Sequence, residues 1–235
     1  MSEQTLIRNI DYNEYVEIIG TAHFTQRSLN DAYQAVRLTK PKDVAIELDW
    51  KRFRLLNMAC ATCPKREFCQ GKCEFIGATE ALGNVDANIW LIDMSEKEIR
   101  KRIRRNMTIK ELVYPRHRVI FNLDENPVWL WERGFKDRVI ENSKRRIENL
   151  RRFHPSIWRV LIDERNALMA SRLAWIASKN LSNGNNKSKI LTFVGAAHVE
   201  GIRDLLKRPT LIEEKLQKFH LPFTKPILIK RIEIR

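Results

Sequence analysis

The sequence predicts an α/β fold: a central mixed, partly parallel sheet flanked by helices, with a small Cys-rich insertion. Three observations lead there. Two short apolar runs end alike, in Gly20-Thr21-Ala22-His23 and in Gly195-Ala196-Ala197-His198. Runs of this length stopped by glycine read as buried strands, with the glycine allowing a tight turn. The first is followed by a helical stretch and the apolar run Val44-Ala45-Ile46. Strand, helix, strand in this compass is a βαβ unit, whose strands run parallel.

The elements follow in order. Leu6 to Ile10 and Tyr15 to Ile19 flank the turn-like Asp11-Tyr12-Asn13, a pattern for an opening hairpin. Ser28 with Asp31 three residues on resembles a capping box, and the helix it starts carries Leu29, Ala32 and Val36 on one side. Pro41 stops that helix, and Val44 to Asp49 is the next strand. A helix from Trp50 leads toward the cysteines, Ile89 to Ile92 is a short strand, and Ser95 with Glu98 opens another helix. Further helices are expected near Val128 to Phe153 and Ser156 to Asn180. Lys189 to Val194 is a strand, Val199 to Leu206 a helix, and the alternating tail Pro226 to Ile234 a closing strand.

The chain of 235 residues suits one domain over 1–235 with an insertion at 58–76. Its net charge of +14 favours association with nucleic acid or an acidic partner. The basic runs, Arg100-Lys101-Arg102 and Lys144-Arg145-Arg146 among them, fall on polar helical stretches, where a solvated helix face is the plain reading. No segment reaches the roughly 18 consecutive apolar residues of a membrane span. The N-terminus lacks the pattern of a secretory signal, and a cytoplasmic protein is the expectation.

A histidine just past a strand's C-terminal end lies where open α/β sheets place their ligand crevices. Parallel pairing brings Glu47 and Asp49 to the edge occupied by His23, and their spacing of two puts both on one strand face. His23, Glu47 and His198 form a candidate ligand set for a divalent metal ion such as zinc, manganese or cobalt. Such an ion would acidify a bound water and polarise a carbonyl. Asp49 is the candidate general base or supporting carboxylate. Each histidine alone is better explained by a hydrogen bond near a helix start; the repeated pair together with Glu47 points to a site.

A helical projection at about 100° per residue gives Trp158, Leu161, Ile162, Leu168, Met169, Leu173 and Ile176 one apolar face, with Arg165 at its centre. A guanidinium there needs a partner: it anchors Glu47 or Asp49, or stabilises an oxyanion. Arg172 beside it is expected to snorkel to the edge. Asp163 and Glu164 project off that face as ordinary polar positions.

All four cysteines, Cys60, Cys63, Cys69 and Cys73, fall within fourteen residues. Four thiolates this close can enclose one zinc ion or one [4Fe–4S] cluster. Local disulfides and free thiols are the alternatives, the former disfavoured in a reducing compartment.

These residues resemble a known family. Gly20-Thr21-Ala22-His23, Glu47-Leu48-Asp49, Glu164-Arg165-Asn166 with Met169-Ala170, and Gly195-Ala196-Ala197-His198 recur in this order in the TraB/PrgY/Tiki family of pheromone-shutdown proteins and membrane proteases, distantly similar to erythromycin-esterase-like proteins. The resemblance runs from Glu17 to Ile202 and takes in Ile92-Asp93. It implies an α/β fold and a metal-dependent, peptidase-like hydrolase acting on a peptide or a small amide or ester. It also implies that His23, Glu47 and His198 are metal or catalytic positions, with Arg165 in support. Many relatives carry membrane spans, and this chain shows none. The competing expectation is a regulatory protein that holds nucleic acid or an acidic partner through its basic helices.

Overall fold

The computed structural model describes residues 9–23, 25–55, 78, 81–82, 87–113, 127–184 and 189–229. Among the described residues five strands form one sheet: β1 (Val16–Thr21), β2 (Asp43–Ile46), β3 (Asn88–Leu91), β4 (Ile190–Gly195) and β5 (Ile227–Ile229), in the order β1-β4-β2-β3-β5. The first four run parallel and β5 pairs antiparallel with β3. This is the expected mixed, partly parallel α/β sheet. β4 inserts between β1 and β2, so the two Gly-x-x-His strands are direct neighbours, with Gly20 opposite Val194 and Thr21 opposite Gly195.

The helices are α1 (Gln26–Thr39), α2 (Glu96–Asn106), α3 (Ile109–Val113), α4 (Pro127–Glu132), α5 (Lys136–Phe153), α6 (Pro155–Trp158), α7 (Arg165–Ser182), α8 (Val199–Lys207) and α9 (Pro209–Lys218). Alternating strand residues divide the core. Ile18, Ala45, Trp90, Ile190 and Val194 pack under α7, α8 and α9. Val44, Ile46, Ile89, Leu191 and Phe193 face α1 instead. Helix α7 is buried on every side from Arg165 to Ser178, and this central place explains the polar side chains it carries inward.

Several expectations change in detail. Thr25, not Ser28, caps α1, its hydroxyl accepting from the Ser28 amide at 3.2 Å, while Ser28 Oγ accepts from the Ala22 amide. The inward stripe is Ser28, Ala32 and Val36, with Leu29 half-buried. Lys40, left-handed at φ 45°, ends the helix before Pro41. The helix expected over Val128 to Phe153 breaks at Gly134, whose φ of 89° suits glycine. The one expected over Ser156 to Asn180 contains a π-helical segment, Arg159–Glu164, between α6 and α7. Regular β2 ends at Ile46: the Glu47 amide still donates to the Phe193 carbonyl at 3.1 Å, but the Leu48 amide turns back to the Ile46 carbonyl at 2.8 Å. Glu47 and Asp49 therefore do not share a strand face and go separate ways. The cysteine segment 58–76, the Leu6–Arg8 part of the hairpin and the end of the closing strand lie outside the described residues.

Candidate functional site

Parallel pairing sends the C-terminal ends of β1, β4 and β2 to one edge, and α7 begins beneath it. Arg165 is the centre of what gathers there. Its Nε and Nη2 donate to the two oxygens of Asp93 at 2.9 and 2.7 Å, a bidentate pair. Nη2 also donates to Glu47 Oε1. Nη1 donates to the Leu161 carbonyl and to His198 Nε2, each at 3.1 Å. A guanidinium has five N–H donors, and all five are used. Arg165 thus anchors Glu47, one of the roles its sequence position suggests, and in this arrangement has no donor left for an oxyanion.

His198 follows β4 in a 3₁₀ turn, Ala196–His198, and is buried. Its Nδ1 lies 2.7 Å from Asn166 Oδ1. That oxygen accepts, so the ring proton sits on Nδ1 and the Nε2 lone pair faces Arg165. Burial lowers the pKa of His198 against the opposing charge of Glu47 and keeps the ring neutral, with Arg165 acting in the same direction as burial. The fit behind Asn166 is tight: a methyl added at Gly201 would stand 2.2 Å from Asn166 Nδ2.

Glu47 is buried and ionised. Burial opposes its charge, but the Arg165 guanidinium beside it holds its pKa below the usual range. Its second oxygen accepts from the Gly195 amide at 2.6 Å. Burial likewise opposes the charge of Asp93, yet Arg165 and Arg52 hold it well below the ordinary carboxylate range.

His23 also reaches this place. A methyl added at Gly195 would stand 3.1 Å from His23 Nε2 and 3.4 Å from Glu47 Oε2, so the bare glycine lets both side chains close over it. Gly20 meets a similar approach: a methyl added there would stand 2.9 Å from Val199 Cγ2. Both glycines of the repeated motif serve close packing. Unlike His198, His23 is exposed.

Asp49 stands apart from this cluster. It accepts from the Arg52 amide and Nε at 2.8 and 3.0 Å and from the Glu96 amide at 3.0 Å, capping the start of α2. Arg52 in turn bonds Asp93 at 2.5 Å, so Asp49 reaches the cluster only through an ion-pair chain. Arg172 does not snorkel. Its guanidinium donates inward to the Asp93 carbonyl at 2.6 Å and to Thr224, and burial brings its pKa down to about 10. Glu164 is fully buried between Arg102 and Arg159 rather than at an ordinary polar position.

Asp93, Asn166 and Arg52 carry roles that the sequence pattern did not assign. Asp93 had a signal: it ends the apolar run Ile89-Trp90-Leu91-Ile92, as Glu47 ends its own run. Arg52 had none.

The donor types of His23, Glu47 and His198 suit a borderline divalent metal. Their lone pairs as they stand do not: His198 Nε2 and both Glu47 oxygens are engaged by Arg165 and the Gly195 amide. Among the described residues no three His, Cys, Asp or Glu side chains form a set that could hold an ion. The four cysteines lie outside those residues. Among the described residues no helix is long and apolar enough to cross a membrane.

The chain is 27% identical over 221 residues to an uncharacterized protein of Methanocaldococcus jannaschii, an alignment covering 82% of this chain and 53% of that protein. The chain thus spans about half the length of the curated relative it matches. No family model matches the chain, and no solved structure matches it.

Proposed function

We propose that this chain is a cytoplasmic hydrolase of amide or ester bonds, peptidase-like and related to the TraB/PrgY/Tiki family. One observation carries the reading: four segments distant in sequence deliver His23, Glu47, Arg165 and His198 to a single sheet edge, in a buried network ending in one exposed imidazole. Hydrolysis needs a base that meets water, and His23 is placed for that role. Ionised Glu47 beside it favours the imidazolium that forms when the base takes a proton. Arg165 and the Gly195 amide hold Glu47 in position, and Asn166 holds His198 in one tautomer.

A divalent ion on His23, Glu47 and His198 would supply an acidified water and a polarised carbonyl. The zinc or [4Fe–4S] cluster proposed for Cys60, Cys63, Cys69 and Cys73 is a separate, structural or redox element.

The competing reading, a nucleic-acid or acidic-partner module, has less support. Several cations of the basic runs are matched within the protein: Arg100 by Glu96, Arg102 by Glu98 and Glu164, Lys144 by Glu200 and Arg145 by Glu141.

The test is hydrolysis of a fluorogenic peptide and p-nitrophenyl ester panel by wild type, His23→Ala and Glu47→Gln, with circular dichroism as the fold control. The expected loss is about 10²–10⁴-fold for His23→Ala. Wild-type rates in both variants would sink the assignment. Chelation that abolishes turnover, with rescue by zinc, manganese or cobalt, would select the metal-dependent form.

A further inference from the structure

A cavity of about 630 Å³ adjoins the site. Gly20, Ala196, Ala197 and Asn166 form part of its wall, and they belong to the strand ends and helix start that carry His23, His198 and Arg165. Much of the remaining wall is apolar: Trp131, Ile140, Ile147, Trp158, Ile162 and Val199. The volume falls within the roughly 300–1,000 Å³ of small-molecule sites.

Charge at the lining is largely spoken for. Lys136 pairs with Asp31, Lys144 with Glu200 and Asp163 with Lys215. Arg151 lies over the Trp158 ring at 4.9 Å, and Arg203 donates to the Ile18 carbonyl at 3.1 Å. Glu148 is exposed on α5. The apolar wall favours an occupant with apolar surface of its own. Trp131, otherwise buried, has an indole N–H with no acceptor among the described residues.

We propose that this cavity is the specificity pocket of the hydrolase, taking a bulky neutral side chain, aromatic or branched aliphatic, next to the bond that is cleaved. The proposal rests on the hydrolase reading of the site. Asn166 connects the two: it lines the cavity and holds His198 Nδ1, so an occupant touches the residue that sets the imidazole tautomer.

The experiment reads binding apart from turnover. Full-length His23→Ala protein with ¹⁵N-labelled tryptophan is titrated with N-acetyl-L-phenylalaninamide, N-acetyl-L-leucinamide and N-acetylglycinamide, the Trp131 indole signal being assigned with Trp131→Phe. The phenylalanine and leucine amides should shift the Trp131 and Trp158 signals saturably. They should bind about 10–100-fold more tightly than the glycine amide, the advantage of burying one large apolar side chain. Ile147→Trp, which fills the cavity from α5, should weaken both at least about tenfold, a methylene-scale or larger loss of pocket contact. Ile147→Ala should move the preference toward larger side chains. Absence of saturable shifts, or equal affinity for the glycine amide, overturns the pocket. Hydrolysis by wild type with an unchanged side-chain preference in both Ile147 variants overturns the pocket and leaves the hydrolase reading standing. Saturable binding without hydrolysis by wild type keeps the cavity as a ligand site and overturns its catalytic role.

Discussion

The two Gly-x-x-His segments are alike in sequence and unlike in place. β4 lies inside the sheet between β1 and β2, and the histidine that follows it is buried, neutral and held at both ring nitrogens. β1 has β4 on one side, and the histidine that follows it is exposed. The same motif thus yields one histidine locked into a buried polar network and one that meets solvent. Position in the sheet, rather than the motif, separates the buried imidazole from the exposed one.

The comparison breaks first at Arg165. Arg165→Met leaves buried Glu47 without its guanidinium and Asp93 with Arg52 alone. Removing one partner of a buried ion pair costs about 3–5 kcal/mol, so the urea midpoint should fall accordingly. A loss below about 1 kcal/mol, the range of exposed pairs, would mean that the His198 side of the site is not held as described.

Acid should act on the same side. The pKa of Asp93 is depressed in the folded protein, so its stabilisation is complete above the unfolded value of about 3.9. It is lost as the pH falls below that value toward the folded one. Urea midpoints between pH 7 and pH 2.5 should therefore drop steeply for wild type below pH 4 and less steeply for Asp93→Asn. Parallel slopes would remove Asp93 from the network's energetics.

The histidines themselves give the smallest and most direct contrast. His198→Ala strips Asn166 Oδ1 and Arg165 Nη1 of a buried partner and should cost about 1–3 kcal/mol. His23→Ala, at an exposed position, should stay within about 0.5 kcal/mol while losing activity. Equal stability losses in thermal or urea melts would erase the distinction between the two segments.

Much of this site was legible because parallel strands obey simple rules. An apolar run ended by glycine marks a strand, the run's end marks the crevice, and a lone arginine on an apolar helix face asks for a carboxylate. His23, Glu47, Arg165 and His198 all follow from these rules. Asp49 did not follow, because two-residue alternation holds only while a strand stays paired and β2 stops at Ile46. Glu164 was misplaced for a similar reason. A projection at a constant angle assumes α geometry, whereas Arg159–Glu164 is π-helical and Glu164, at its end, is fully buried.

By itself the sequence determined the fold class, the strand ends and the residue types gathered at them, since hydrophobic periodicity and glycine placement are local. Only the tertiary structure decided that β4 lies between β1 and β2, that Asp93 shares Arg165 with Glu47, and that one histidine is buried while its counterpart is exposed. Those depend on strand order and on packing between segments that lie from tens to more than a hundred residues apart, for which local pattern carries no information.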